Sequence, residues 1–396
     1  MDLRGFIELL SRQGHLCRVN REVDWKFELG EITRTHQTPL LFEKIKGYPG
    51  QRVFTNGMSS VPAMGIALGL GPGKQWEDLI RDIREKAKVP VRPLLVGRGP
   101  VLENTAVGSE IDLLKFPVPQ WSKLDAGRYI GTWHINVSRD PETGSRNVGV
   151  YRMQVLGPNQ ATISTSPTSH LGRHVAKAEK AGRPLEMAVA IGTSEAVMMA
   201  AAAGCPYGTD EYELAGGLQG AAIELVKCGT VDLEIPADAE IAIEGVIKPG
   251  VRVNDGPYFD YAGTPTSNPK AFRFEATRVM FRSNPIFRGA AIGVPGTEDQ
   301  QVFAVLSALR LFDFHCSRPK HVLLAHLIKR RLFRPFQFVG RMGWRVLLGG
   351  KKQHSLRALH SPDLRKLSSV KGSTRRRPRG EPSELVPTGP TPRQSP

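Results

Sequence analysis

The chain has 396 residues, 40% hydrophobic and 7% aromatic, enough for a sizeable core shared among two or three domains. Its formal charge of +16 sits at one end: residues 318–396 hold 19 Lys or Arg against three acids, while residues 1–317 hold 35 of each sign. A neutral body argues against a globular nucleic-acid binder, whose basic patch lies on the folded domain, and no apolar run is long enough for a membrane span.

In chain order, Met1 to Leu10 lacks the apolar stretch and cleavage site of a secretory signal, which points to the cytoplasm. The apolar spacing of Leu3, Phe6, Ile7 and Leu10 predicts a helix over Leu3–Gln13. Short strands follow at Leu16–Val19, Leu40–Phe42 and Val53–Asn56, then a helix over Trp76–Lys88, together an α/β domain over residues 1–110. The stretch Gly69-Leu-Gly-Pro-Gly-Lys-Gln75 resembles a phosphate loop. Leu68 replaces its first glycine and Gln75 its metal-binding hydroxyl, so it reads as a turn before a helix. The cysteines Cys17, Cys205, Cys228 and Cys316 are far apart, which points to reduced, mostly buried thiols.

Residues 111–298 turn mostly β, with strands at His134–Ser138, Asn147–Leu156, Ala161–Ser164, Met187–Ile191, Ile241–Val246 and Phe272–Phe281. The turn formers of Arg139–Gly144 join the first two as a hairpin. Helices at His170–Ala181 and Tyr212–Leu225 interrupt an otherwise barrel-like sheet, so the fold class is α+β. Residues 299–349 read as helical, and residues 350–396, basic and rich in Ser, Pro and Gly, read as a disordered tail.

Asn147, His170 and Glu211 each open or follow a predicted element, and their oxygen and nitrogen donors suit Mn²⁺ or Mg²⁺ better than a thiol-loving metal. By spacing alone they serve equally as a turn residue, a packed histidine and a helix N-terminal acid. A second set is Arg152 with Asp255 and Asp260, which flank a Gly-Pro turn; an arginine beside a carboxylate suits an anionic substrate, and a nearby acid suits proton return.

Six blocks carry a resemblance: Asn147-Val-Gly-Val-Tyr-Arg152-Met-Gln, Ser169-His-Leu-Gly-Arg-His174, Asp210-Glu-Tyr-Glu-Leu-Ala-Gly216, Glu224-Leu-Val-Lys-Cys228, Leu233-Glu-Ile-Pro-Ala-Asp-Ala-Glu240-Ile-Ala-Ile-Glu-Gly245 and Asp255-Gly-Pro-Tyr-Phe-Asp260. In order and spacing they resemble the UbiD family, decarboxylases that use prenylated FMN and include 3-octaprenyl-4-hydroxybenzoate carboxy-lyases. The resemblance implies a flavin-reductase-like split β-barrel at residues 111–298. It implies a divalent metal, Mn²⁺ or Mg²⁺, held with the flavin phosphate by Asn147, His170 and Glu211, with K⁺ beside it. It also implies catalytic roles for Arg152, Asp255 and Asp260, a flavin prenyltransferase as cofactor supplier, a homo-oligomer, and reversible decarboxylation of an aromatic or α,β-unsaturated acid. The alternative is a non-catalytic flavin-binding or assembly subunit of a multi-subunit carboxylase.

Two departures stand out. The family's first acid is usually Glu, and Asp255 is shorter by about 1.5 Å, so the pocket or the Arg152 contact is expected to differ, or activity to be reduced. The likeness also fades after about residue 310, where the family continues into a C-terminal α/β domain, so this reads as a short branch or a degenerate end. A geometric puzzle accompanies them. Positions five apart on a strand face opposite ways, yet Asn147 and Arg152 should serve one cofactor, so Asn147 is expected at the strand's entry or a bulge is expected to intervene.

Overall fold

Asp2 caps the first helix by accepting a hydrogen bond from the Gly5 amide, and α1 (Leu3–Arg12) turns Leu3, Phe6, Ile7 and Leu10 inward. In this computed structural model the described residues are 1–293 and 296–316, with backbone alone for 310–316. The remainder of the predicted helical stretch to residue 349, and the tail after it, lie outside the described residues.

The N-terminal layer continues through β1 (Cys17–Val23), α2 (Glu28–Thr35), β2 (Leu40–Ile45), β3 (Arg52–Thr55), α3 (Val61–Ala67) and α4 (Trp76–Ala87). Next come β4 (Leu94–Leu95), β5 (Asn104–Val107), β6 (Tyr129–Gly131), β7 (His134–Arg139), β8 (Arg146–Gly149), β9 (Met153–Gly157), β10 (Gln160–Ile163), α5 (His170–Lys180) and β11 (Leu185–Ile191). The chain then forms α6 (Glu195–Ala202), α7 (Glu211–Gln219), β12 (Glu224–Lys227), β13 (Glu234–Pro236), β14 (Ile241–Phe259), β15 (Pro265–Phe281), β16 (Ile286–Arg288) and α8 (Glu298–Cys316).

Three sheets organise these pieces. The N-terminal sheet has the order β1-β2-β3-β16, so its last strand comes from the far end of the described chain and pairs parallel to β3. The Phe6, Leu10, Leu41, Phe54 and Ile286 side chains lock α1 onto it. The central sheet runs β6-β9-β10-β15-β14-β11-β7-β8, with β5 on β15. Its path starts beside β9 and ends on β8, yet only residues 150–152 separate those two strands in the chain. The sheet therefore curls until its ends approach, an α+β fold with a curled half-barrel. A small sheet, β13-β12-β4, lies apart.

The structure departs from the sequence expectations at four places. The single strand expected over Asn147–Leu156 is two strands with a break. The helix expected over Tyr212–Leu225 stops at Gly220, whose left-handed φ of 77° closes it, and Glu224–Lys227 pairs in a sheet instead. Helix α6 was missed because it is buried on nearly every side and has no polar face to betray a period. The thiols are less buried than expected: Cys17 is exposed, Cys205 and Cys228 are half-buried, and none of the three is in a disulfide.

One buried cation ties α6, β16 and α8 together. Arg288 donates from Nε to Glu195 Oε1 at 2.8 Å and from Nη1 to Glu298 Oε2 at 2.9 Å, and Trp133 Nε1 donates to Glu195 Oε2 at 2.9 Å. Removing such a partner strands a charge in low dielectric. Among the described residues no helix is long and apolar enough to cross a membrane.

Close packing of α2 on the segment before β6 gives a test. A Cβ on Gly30 would stand 1.9 Å from the Trp121 carbonyl oxygen, whereas one on Gly73 would meet nothing within 4 Å. Gly30→Ala is expected to cost at least about 1–3 kcal/mol in urea unfolding. Gly73→Ala should stay within about 0.5 kcal/mol of the parent; equal midpoints for the two variants would refute the packing.

Candidate active site

Local sequence places each candidate residue at the start or end of an element. Ser169 caps α5 by accepting from the Gly172 amide, so His170 is the first helical residue. Asp210 caps α7 by accepting from the Tyr212 amide, so Glu211 is the first residue there. Asn147 lies on β8 opposite Ser138 of β7.

These three meet. His170 Nδ1 is 3.2 Å from Asn147 Oδ1, and Glu211 Oε2 accepts from the amide of Val148, the next residue along, at 2.9 Å. A strut behind them sets the spacing: Arg146, just before Asn147, donates to Oδ2 of Asp210, just before Glu211, at 2.9 Å and to Glu234 Oε2 at 2.8 Å. Because Arg146 is spent on those acids, Glu211 has no counter-charge of its own, and burial pushes its carboxyl up to about 7. Burial and the nearby Arg173 hold His170 below its ordinary value. The buried Asn147 Nδ2 has no hydrogen-bond partner. Tyr207 meets the His170 ring edge-on at 5.1 Å and hydrogen-bonds Asp140, which also takes Lys177 Nζ at 2.7 Å.

The donor set fits a hard divalent cation. Adjacent ligands on an octahedral ion with bonds of about 2.1 Å stand about 3 Å apart, close to the Asn147–His170 separation. An uncompensated buried carboxylate beside an unpartnered amide is the environment a cation relieves. Among the described residues no three His, Cys, Asp or Glu side chains gather as a metal cluster; this set reaches three donors only through the Asn147 amide.

Arg152 gathers the second set. Its Nε donates to Asp255 Oδ2 at 2.7 Å and its Nη1 to Asp260 Oδ2 at 3.1 Å and to Thr266 Oγ1 at 2.7 Å. Thr162 Oγ1 donates to Asp255 Oδ1 at 2.7 Å, and Thr266 Oγ1 to Asp260 Oδ2 at 2.9 Å. The shorter acid, Asp255, does contact Arg152. Asp255 is sealed behind Arg152, while the Asp260 side chain is 33% exposed. Between them Gly256 adopts φ 96°, and a Cβ there would stand 2.6 Å from the Thr266 carbonyl oxygen, so the turn demands glycine.

A cleft of about 260 Å³ opens against this set, lined by Arg152, Asp260, Tyr258 and the apolar Val150, Met198 and Leu306. Asn147, His170 and Glu211 do not border it. Asp299, in the first turn of α8, does, and burial pushes its carboxyl up to about 6. Sequence reasoning missed Asp299, the Thr162 and Thr266 hydroxyls and the Arg146–Asp210 strut. Only the strut had a signal, an ionic residue before each of two candidate ligands.

Comparison with known proteins places the chain in a family. Residues 94–295 match the UbiD family model described as the 3-octaprenyl-4-hydroxybenzoate carboxy-lyase Rift-related domain, and residues 7–83 match its N-terminal domain. The pyrrole-2-carboxylic acid decarboxylase of Pseudomonas aeruginosa is 31% identical over 328 residues, which are 79% of this chain and 66% of that protein. A phenolic acid decarboxylase of Sedimentibacter hydroxybenzoicus is 32% identical over 78% of this chain and 68% of that protein. The chain thus spans about two thirds of such relatives' length. Among solved structures, an evolved dimeric form of the UbiD-class enzyme HmfF from Pelotomaculum thermopropionicum, in complex with prFMN, superposes with a TM-score of 0.70 at 37% identity, covering 78% of this chain and 70% of that one. The closed form of the Sedimentibacter vanillic acid decarboxylase gives 0.75 at 31% identity, covering 79% and 68%.

The burial difference between the two acids predicts unequal costs. Arg152→Ala leaves Asp255 buried without its cation and should cost about 3–5 kcal/mol in chemical unfolding. Asp260→Ala should cost about 1 kcal/mol or less, because that pair is open to solvent.

Proposed function

The chain belongs to the UbiD family, and from that footing we propose that it is a reversible decarboxylase of aromatic or α,β-unsaturated carboxylic acids, working with prenylated FMN and a divalent cation. The observation that carries this reading is the convergence on one curled sheet of an arginine spanning two carboxylates and an Asn-His-Glu set whose Glu211 lacks a counter-charge. Relatives named for pyrrole-2-carboxylic and phenolic acids point to the same substrate class.

In this reading Asn147, His170 and Glu211 would hold Mn²⁺ or Mg²⁺, with K⁺ nearby, and that cation would help bind the flavin. Bound prenylated FMN supplies the electron sink for loss of carbon dioxide. The chain's own residues do the rest. Asp255 and Thr162 fix the Arg152 guanidinium, so it meets an anionic carboxylate with little reorganisation. Asp260, on the cleft wall and partly open, exchanges the proton at the substrate carbon. Val150, Met198 and Leu306 keep water from the reacting face. The central domain, residues 111–298, is read as a flavin-reductase-like split barrel between the N-terminal domain, 1–110, and the α8 segment. A homo-oligomer in the cytoplasm, supplied by a flavin prenyltransferase, completes the proposal.

The test is co-expression with a flavin prenyltransferase, mass spectrometry of the bound flavin, and carbon dioxide release from a panel of aromatic acids. Glu211→Gln should lower metal and flavin content together; unchanged flavin content removes Glu211 from the site. Asp260→Asn should keep the flavin and lose about 100-fold or more in turnover. Flavin bound with no turnover on any acid would instead favour the assembly-subunit reading.

A further inference from the structure

The break at residues 150–152 is where the central sheet changes neighbours. Up to Gly149 the chain pairs with β7, in the register Asn136 to Gly149; from Met153 it pairs with β6, in the register Gly131 to Met153. Tyr151 sits between, with no strand beside it. A peptide unit left unpaired in a buried place costs as much as a lost hydrogen bond. Here two buried side chains of β7 replace the missing strand. Asn136 Oδ1 accepts from the Tyr151 amide at 3.0 Å, and His134 Nε2 meets the Tyr151 carbonyl oxygen at 3.0 Å.

The local sequence is built to admit this clamp. A Cβ on Gly131 would fall 2.6 Å from His134 Cε1, and one on Gly149 would fall 2.8 Å from the Tyr151 hydroxyl. Two glycines therefore open the space that the imidazole and the Tyr151 ring fill. The ring reaches back toward the triad: its hydroxyl accepts from the Leu171 amide at 3.4 Å, next to His170. Because Nε2 faces a carbonyl it must carry the proton. Nδ1 is left bare and has no partner, and burial keeps the ring neutral by lowering its value to about 4.

We propose that His134 and Asn136 are positioning residues that hold the Tyr151 peptide out of the sheet, so that Arg152 faces the cleft while Asn147 stays on β8. Neither touches the cleft or the triad; both act through the backbone. The inference rests on the proposed function only for what Arg152 does. The clamp itself is a statement about the chain.

The experiment compares three full-length variants made with flavin prenyltransferase co-expression. His134→Gln places an amide N–H near the position of Nε2 and keeps the bond to Tyr151, whereas His134→Asn is similarly polar but too short to reach it. The Gln variant should keep turnover of an aromatic acid within about threefold, and the Asn variant should lose about tenfold or more, the weight of one hydrogen bond or greater. Binding of Mn²⁺ alone, followed by its paramagnetic resonance, should stay within about threefold of the parent in both, since the β7–β8 ladder still holds Asn147. Asn136→Ala should speed amide hydrogen exchange at Tyr151 about tenfold or more and leave Val148 unchanged. Gln and Asn variants impaired alike, Mn²⁺ binding lost in step with turnover, or exchange at Tyr151 unmoved would each overturn the proposal. A parent protein inactive on every acid but showing the exchange difference would sink the proposed function and support the clamp.

Discussion

A sheet whose β6-β9 end and β8 end are linked by only the three residues 150–152, between β8 and β9, is the constraint from which the candidate site follows. Strand pairing alone cannot join those ends, because one residue cannot lie in both ladders. The chain resolves this at Val150–Arg152 by leaving the hydrogen-bond pattern and returning to it one strand further round. Leaving the pattern interrupts the alternation of faces between Asn147 on β8 and Arg152 beyond its end. Asn147 sits near the entry of β8, as expected, and in place of a bulge a complete break follows at residues 150–152.

Charge is arranged with similar economy. Arg152 spans Asp255 and Asp260, Arg288 spans Glu195 and Glu298, and Arg146 spans Asp210 and Glu234. Each guanidinium forks between two acids, which fixes orientation as well as distance. Glu211 stands outside these pairings with a buried carboxyl and only a backbone donor, the Val148 amide. A buried carboxyl raised by desolvation, beside a bare amide and an imidazole, is what gives the metal reading its physical content.

Much of this was legible in the sequence, for identifiable reasons. His170 was expected to open its helix and does; Glu211, expected just ahead of a helix from Tyr212, is itself the first helical residue, with Ser169 and Asp210 as the caps. Arg152, Asp255 and Asp260 were grouped by an arginine and two acids flanking a Gly-Pro turn, and the structure brings their side chains together. What escaped depends on distant partners. Thr162 and Thr266 look like ordinary strand residues until the fold sets them against Asp255 and Asp260. Helix α6 carries no polar stripe, so periodicity could not mark it. The three residues of β16 form too short a run to signal a strand, and their partner on β3 is more than two hundred residues away.

That last strand has a consequence for how the molecule comes into being. The outer side of β3 is completed only by Ile286–Arg288, after nearly the whole described chain has left the ribosome. Until then the N-terminal layer carries an open strand edge, with Leu41 and Phe54 awaiting Ile286. Contacts of such sequence separation are slow to form and leave sticky intermediates on the way. The layer that is made first is therefore among the last to be sealed, and chaperone demand during synthesis should concentrate on that interval.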